Sequence, residues 1–176
     1  MVDTLRIVGI VGMLEPATPC FGLWEYFETA FKKVYPEAEF FVKRLRYLPY
    51  EGKKIRTYAD SILEEYDDGK PTMLFGYSMG GVVATALEPR FTKTKISKVV
   101  TVFSPHTFLR GKFSQMCGSA LLKTQTPIIS VRARFDIVVP WGSRHPHASR
   151  HLVLNCDHLF GLNRKVALKI AEASVL

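Results

Sequence analysis

The stretch that decides the fold is Leu74 to Gly81, with the sequence LFGYSMGG. The apolar run at residues 72–75 has the length of a buried parallel strand. The run at residues 79–87 is apolar, small and compatible with a helix, which Pro89 would end. The pattern therefore predicts a strand, a sharp turn at Ser78 and a helix.

The glycines two positions before and two positions after Ser78 have a physical reason in such a turn. A hairpin from strand into helix strains the backbone of the serine, and side chains at Gly76 and Gly80 would collide. The serine Oγ would stand clear of the sheet, and the amide of Met79 would face any developing negative charge. A simpler alternative is a glycine-rich turn whose serine caps the helix. The succession of strand, turn and helix favours a catalytic serine.

Length and composition indicate an ordinary soluble globular protein. The 176 residues suffice for one domain, residues 1–176, with a single buried core, and the composition is 47% hydrophobic and 23% charged. No apolar run approaches the roughly 20 residues of a membrane span, and the first residues lack the pattern of a signal peptide. Cys20, Cys117 and Cys156 have no metal-ligand spacing and cannot all pair. These features predict a reduced, cytoplasmic setting.

The formal charge of +8 allows several partners. A basic balance can favour anionic lipid surfaces, nucleic acid or acidic substrates. Because no zinc finger, helix-turn-helix or RNA-binding signature accompanies the charge, we expect no nucleic-acid partner. A solvated basic surface is the favoured explanation. Peripheral contact with a membrane stays open, and the oligomeric state is unknown from the sequence.

Strand-like runs alternate with helical patterns along the whole chain. The predicted strands are residues 5–11, 39–42, 72–75, 96–103, 127–133 and 150–154. The predicted helices are residues 23–34, 55–66, 79–87 and 162–170, and residues 107–125 hold one short helix at most. The alternation predicts an α/β fold with a parallel sheet of about six strands and helices on both faces.

Ligands of parallel sheets bind beyond the carboxyl ends of the strands. The segments at those ends are Gly12 to Leu14, Ser78, His106, Asp136 and His158. A serine hydroxyl needs an adjacent base to become a nucleophile, and the base needs an orienting acid. Asp136 and His158 each follow an apolar strand, so both should lie at the same edge of the sheet as Ser78.

Three segments carry a resemblance to a known family. FGYSMGG at residues 75–81, RFDIVVP at 134–140 and DHLFG at 157–161 resemble, in order and spacing, the serine, aspartate and histidine segments of α/β-hydrolase esterases and lipases. The resemblance covers essentially the whole chain. It implies a three-layer α/β/α sandwich, a minimal α/β-hydrolase fold without the first two strands and with little or no cap. In the family's numbering the strand order would be 4-3-5-6-7-8, with residues 5–11 as strand 3, inside the sheet.

The resemblance also implies roles for individual residues. Ser78 would be the nucleophile, His158 the general base and then acid, and Asp136 the carboxylate that fixes the histidine tautomer. The oxyanion hole would use the amides of Met79 and Met13. Leu14 is the alternative to Met13, since Gly12-Met13 stands where the family has His-Gly.

The expected substrate is a carboxylic ester that is cleaved through an acyl-enzyme, without a cofactor. A shallow pocket lined by apolar residues such as Met13, Leu14, Phe108 and Val138 would favour short or medium acyl chains, or lipid esters presented at an interface. His106 is either a further residue of this substrate pocket or part of loop packing. A thioesterase is the nearest rival, and a binding module that has lost catalysis is the alternative from another class.

Competing assignments concern other acids, histidines and cysteines. Asp157 is adjacent to His158 in sequence and cannot easily reach round to orient it. His145, His147 and His151 suggest a metal site, but no acidic or cysteine ligand is close in sequence and the flanking arginines would repel a cation, so no metal is predicted. Cys156 is expected to be a small buried apolar residue rather than a nucleophile.

Overall fold

Six parallel strands form the centre of the fold. The computed structural model describes residues 4–12, 22–44, 52–106, 124–139, 144–158 and 162–175. Within these ranges the strands are β1 (Arg6–Ile10), β2 (Glu39–Lys43), β3 (Thr72–Tyr77), β4 (Ile96–Val102), β5 (Ile128–Ala133) and β6 (Arg150–Leu154). All neighbouring pairs are parallel, and the order is β2-β1-β3-β4-β5-β6. This order is 4-3-5-6-7-8 in the α/β-hydrolase numbering, with β1 inside the sheet, so both predictions are confirmed.

Helices cover both faces of the sheet. They are α1 (Leu23–Val34), α2 (Gly52–Tyr66), α3 (Met79–Leu87) and α4 (Arg164–Ala173), with a 3₁₀ turn at Glu88–Arg90. Residues of α1 and α4 share one apolar core, and residues of α2 and α3 share the other. The predicted three-layer α/β/α arrangement is therefore confirmed. Among the described residues, no helix combines the length and apolar character needed to cross a membrane.

The central strands are buried at every position because both of their faces are covered, and Arg6 and Thr72 are the polar residues of β1 and β3 apart from the terminal Tyr77. Every residue of β1 and β3 is buried. On the α1 face, the ring of Phe75 lies 4.6 Å from that of Phe27, 5.0 Å from Phe31 and 5.8 Å from Trp24, between centroids. Each fully buried side chain of this size contributes roughly 1.5–3 kcal/mol, so the continuous apolar runs in the sequence supply most of the driving force.

The ends of the elements differ from the predicted ends for local reasons. Helix α4 begins at Arg164 because the side chain of Asn163 accepts hydrogen bonds from the amides of Lys165 and Val166, at 3.0 and 3.1 Å. Strand β4 ends at Val102 because Phe103 has φ 52°, outside the extended region. Residues 107–123, with their predicted short helix, lie outside the described ranges, as do Cys20 and Cys117.

The amino end of the sheet is held by a buried arginine. Arg6 is 4% exposed and donates to both carboxylate oxygens of Asp68, at 2.8 and 2.9 Å. It also donates to the hydroxyl of Thr72 and to the carbonyl of Tyr66. The guanidinium of Arg6 lowers the pKa of Asp68 to about 2. These bonds join β1 to the end of α2 and the start of β3.

Asp67 closes the neighbouring loop between α3 and β4. Its carboxylate accepts hydrogen bonds from the amides of Thr92, Lys93 and Thr94 and from the hydroxyl of Thr92. Partial desolvation opposes ionisation, but these hydrogen bonds outweigh it and lower the pKa of Asp67 well below its ordinary range. The ionised carboxylate thus orders the turn that leads into β4.

The first prediction concerns the contact between α3 and the sheet. A Cβ at Gly80 would lie 2.0 Å from the carbonyl oxygen of Ile10, whereas a Cβ at Gly69 would have no atom within 4 Å. Gly69→Ala should cost about 1–2 kcal/mol, through its φ of 95° alone. Gly80→Ala should cost about 3 kcal/mol or more, because backbone must move away from backbone. Urea unfolding of both variants measures the difference, and equal losses would contradict this account.

The second prediction concerns the pH dependence of stability. A carboxylate with a depressed pKa stabilises the fold above its ordinary pKa, and this stabilisation is lost as the pH falls. Asp67→Asn should therefore lower the free energy of unfolding near pH 7, and the difference from the native protein should shrink below about pH 4. The matched control is Asp60→Asn, which removes only an exposed ion pair with Arg90 and should change little. A loss for Asp67→Asn that is equal at pH 7 and in acid would exclude a role for the charge.

Candidate active site

Ser78 occupies the turn between β3 and α3 in a strained backbone conformation. Its φ is 51° and its ψ is −126°, a region that non-glycine residues seldom adopt. The amide of Ser78 donates to the carbonyl of Val102 on β4 at 2.7 Å, and the carbonyl of Ser78 accepts from the amide of Gly81 at 3.1 Å. The serine backbone is thus fixed from the neighbouring strand and from the helix.

Close backbone approaches on both sides explain the glycines of the turn. A Cβ at Gly76 would lie 2.4 Å from the carbonyl oxygen of Gly80 and from the amide nitrogen of Gly81. At Gly12, which follows β1, a Cβ would lie 2.9 Å from the Cβ of Ser78. The end of β1 is therefore in direct contact with the serine turn.

The predicted oxyanion hole is described only in part. Met79 is the first residue of α3, so its amide is one of those that a helix leaves without an intrahelical acceptor. A Cβ at Gly12 would lie 3.4 Å from this amide nitrogen. Met13 and Leu14, which follow directly, lie outside the described residues. The assignment of either one as the second donor stays a prediction.

His158 and Asp136 lie together beside the serine. The Nε2 atom of His158 is 3.1 Å from the Oγ of Ser78, and its Nδ1 atom is 2.8 Å from the Oδ2 of Asp136. The exposed fractions of His158 and Asp136 are 2% and 6%, whereas Ser78 is half-buried. The structure thus brings together three residues that are up to 80 positions apart, in one hydrogen-bonded series whose serine is more exposed than its two partners.

The acid is held by its own loop. The second carboxylate oxygen of Asp136, Oδ1, accepts hydrogen bonds from the amides of Val138 and Val139 at 3.0 and 2.7 Å. An ionised carboxylate only accepts hydrogen bonds, so Nδ1 of His158 must donate to Oδ2 and Nε2 is left with a free lone pair. With this tautomer, Nε2 can take the proton of the Ser78 hydroxyl, and the buried carboxylate stabilises the imidazolium that forms.

Tyr77 is a part of the site that the sequence did not indicate. Its hydroxyl donates to the backbone carbonyl of His158 at 2.5 Å, and its ring centroid lies 5.6 Å from that of the imidazole. The ring of Phe103 lies 5.8 Å from the imidazole. Tyr77 occupies a variable position of the G-x-S-x-G pattern, so no sequence signal could have identified it.

His106 is buried beyond the end of β4, and among the described residues neither of its ring nitrogens has a hydrogen-bond partner. It is 2% exposed, and its ring lies 4.7 Å from that of His145, almost perpendicular to it. Burial, and then the proximity of His145, lowers the pKa of His106 well below its ordinary value. The imidazole is therefore neutral near pH 7 and packs against His145. Contact with a substrate stays a prediction.

The remaining predicted pocket residues are Val138 and Phe108. Val138 is 48% exposed, and its backbone amide donates to Asp136, so the residue adjoins the acid while its side chain is open to solvent. Phe108 lies outside the described residues. A role of Val138 or Phe108 in an acyl pocket stays a prediction.

The competing assignments have separate outcomes. Asp136, not Asp157, contacts Nδ1 of His158. Cys156 is 7% exposed, and burial, with Asp157 and Asp136, raises the pKa of its thiol to about 11, which opposes a nucleophilic role.

The histidine-rich loop has other contacts. The amide of His147 donates to Nδ1 of His145, and Nε of Arg144 donates to Nε2 of His151. In the part of the chain that the structure describes, no three His, Cys, Asp or Glu side chains could jointly hold a metal ion.

Comparisons with known proteins show a likeness in structure. No protein-family model matches the sequence, and no curated protein matches it. A protein from Xanthomonas campestris pv. campestris that is assigned as a hydrolase of the α/β superfamily is 18% identical and has a TM-score of 0.67, with 100% of both chains covered. The esterase domain of a Rhodothermus marinus protein is 15% identical, with 97% of this chain and 84% of that chain covered and a TM-score of 0.62. An Arabidopsis methylesterase is 14% identical, with 98% and 100% covered and a TM-score of 0.65.

Strand order, serine turn and these likenesses agree with one another. The sheet order is the one that the α/β-hydrolase numbering predicts for strands 3 to 8. The neighbours match nearly the whole chain at low identity, as expected when a fold is shared but the sequences have diverged. This chain therefore has the α/β-hydrolase fold.

Proposed function

We propose that this protein is a serine hydrolase that cleaves carboxylic esters through an acyl-enzyme. The observation that carries the proposal is the hydrogen-bonded series from Ser78 Oγ through His158 to Asp136, with distances of 3.1 and 2.8 Å. A nucleophile, a base within reach of its proton and an acid that orients the base are the three groups that acyl transfer needs.

The first half of the reaction forms the acyl-enzyme. Ser78 Oγ attacks the ester carbonyl carbon while its proton moves to Nε2 of His158, and the carbonyl oxygen becomes an oxyanion. The amide of Met79, with that of Met13 or Leu14, stabilises this charge, and each donor lowers the activation barrier by about 3 kcal/mol. When the bond to the alcohol breaks, His158 returns the proton to the leaving oxygen.

The second half regenerates the serine. Water enters, His158 takes one of its protons, and the resulting hydroxide attacks the acyl carbon. The carboxylic acid leaves as Ser78 recovers its proton. Asp136 stays ionised throughout and stabilises the positive charge on His158 in both halves.

The ester class is supported by the neighbours, several of which are named esterases. The half-exposed Ser78 and the exposed Val138 suit a shallow acyl pocket, and therefore short or medium acyl chains or esters presented in a lipid. A thioester would fit the same machinery. Hydrolysis rates measured on p-nitrophenyl esters of increasing acyl-chain length, and on the matching thioesters, would identify the preferred substrate class.

The third prediction tests the catalytic series. Ser78→Ala and His158→Ala should each lower ester turnover on the order of 10⁴-fold or more, and Asp136→Asn somewhat less. Because the three residues act as a unit, the double variant Ser78→Ala/His158→Ala should be scarcely worse than Ser78→Ala. Steady-state rates, with circular dichroism to confirm folding, measure these effects.

The control for the acid is Asp157→Asn, which makes the same chemical change one residue from His158. It should cost far less activity than Asp136→Asn. A fluorophosphonate, which reacts only with an activated serine, should label the native protein and not Ser78→Ala. Absence of an adduct on folded native protein would favour the binding module, and full activity in Ser78→Ala would exclude the proposal.

The fourth prediction concerns the hydrogen bond from Tyr77 to the carbonyl of His158. Tyr77→Phe should lower kcat several-fold, with KM nearly unchanged, because it loosens the base without touching the substrate; one hydrogen bond is worth about 1 kcal/mol. The matched control is Tyr58→Phe, since the Tyr58 hydroxyl also donates to a backbone carbonyl, that of Lys43, on the α2 side of the sheet. Both variants should lose similar stability, and only Tyr77→Phe should lose turnover. Equal kcat in the two variants would show that Tyr77 contributes to stability but does not position His158 for catalysis.

A further inference from the structure

Large apolar side chains are exposed on the loop that carries Asp136. The exposed fractions are 62% for Phe135, 84% for Ile137 and 48% for Val138. The loop is firmly attached, because the amides of Arg134 and Phe135 donate to the carbonyls of Leu154 and Cys156, at 2.8 and 3.1 Å. A fixed loop that holds three neighbouring apolar side chains in water indicates an interaction site.

Three exposed arginines lie on β5, at the start of the loop and against β6. Arg132, Arg134 and Arg144 are exposed, and none of the ion pairs found among the described residues involves them. Arg132 is in register with Val153 on the edge strand β6, and Nε of Arg144 donates to His151 on the same strand at 3.3 Å. The positive charges therefore lie along the β5–β6 side of the sheet, and Arg134 directly precedes the exposed Phe135.

Acidic groups do little to balance this charge. In the described segments 134–139 and 155–158 the carboxylates are Asp136, which is buried and bonded to His158, and Asp157. Burial, and then the positive charges of Arg144 and Arg132, lowers the pKa of His151. Both arginines are therefore close enough to His151 to oppose its protonation. The surface is thus both cationic and apolar.

We propose that the surface formed by Arg132, Arg134, Phe135, Ile137, Val138 and Arg144, here the acid-loop surface, binds the face of an anionic lipid bilayer. The arginines bind the anionic lipid headgroups, and the apolar side chains insert into the acyl region beneath them. Nucleic acid would pair with the arginines but leave Phe135 and Ile137 in water. A second copy of this chain would bring like charges together.

The acid-loop surface also suggests the source of the substrate. Because Asp136 belongs to this loop, a bilayer that binds here lies at the edge of the catalytic series, so the ester would be drawn from the lipid. This last step rests on the proposed ester hydrolysis. Lipid binding itself does not, since it needs none of the three catalytic side chains.

Binding is tested on the folded Ser78→Ala protein, so that turnover does not alter the vesicles. Flotation with vesicles of phosphatidylcholine alone, and with an equal mixture of phosphatidylcholine and phosphatidylserine, measures the bound fraction. We expect binding to the mixed vesicles only, weakening as salt rises from about 0.05 to 0.5 M, because the screening length falls to a few ångströms.

Two pairs of variants locate the binding surface. Each basic side chain at an anionic membrane increases partitioning about fivefold, so Arg132→Gln/Arg134→Gln should bind roughly 25-fold more weakly. Its control is Lys93→Gln/Lys95→Gln, which removes the same charge from exposed residues at the other end of the sheet and should bind normally. Ile137→Ser should weaken binding, whereas Val175→Ser, at an exposed valine just after α4, should not.

The outcomes separate this proposal from the proposed function. Equal binding to both kinds of vesicle, no binding to either, or equal losses in the variant and control pairs would overturn the lipid assignment. A concentration-dependent dimer that Ile137→Ser abolishes would also overturn it, in favour of a second copy. If Ser78→Ala binds as expected but the native protein hydrolyses no soluble or vesicle-borne ester, the acid-loop surface stands and the enzymatic proposal falls.

Discussion

The contact between the start of α3 and the sheet is the constraint on which the rest of the structure depends. Backbone touches backbone there, since a Cβ at Gly80 would lie 2.0 Å from the carbonyl of Ile10. The chain can turn in so little space only if Ser78 adopts a positive φ. Such strain costs on the order of 1–3 kcal/mol, and it persists because strands buried on both faces hold the turn from every side. The sheet is therefore rigid where the serine needs to be fixed.

Parallel topology then determines which residues meet the serine. β3, β4, β5 and β6 are consecutive in the sheet, and the segments that follow them come together at one edge. The backbone bonds of the acid loop to the end of β6 fix Asp136 relative to His158, and Tyr77 joins the histidine loop to the serine strand. The geometry of the site is thus set by strand order and by three short loops rather than by any single motif.

The sequence could predict what depends on burial and on chain direction. Apolar runs revealed the strands, glycine and proline marked most of the ends, and the order serine, acid, histidine pointed to the residues that lie together. It could not predict contacts between distant residues that leave no periodic signal. The bond from Tyr77 to His158, the left-handed φ of Phe103 and the packing of the buried His106 ring against His145 are of this kind. The exposure of Ile137 was hidden because an apolar residue after a strand looks like core.

The two ends of the sheet differ in a way that separates stability from function. At the amino end, Arg6 and Asp67 have their hydrogen-bonding groups satisfied by neighbouring loops and strands. At the carboxyl end, Ser78 and Phe103 are the non-glycine residues with positive φ among those described, and they follow the adjacent strands β3 and β4. The exposed apolar side chains around Asp136 lie at that end too. Features that reduce stability persist where a binding partner or a reaction uses them, so their concentration at one edge is itself an argument that this edge is the working surface of the molecule.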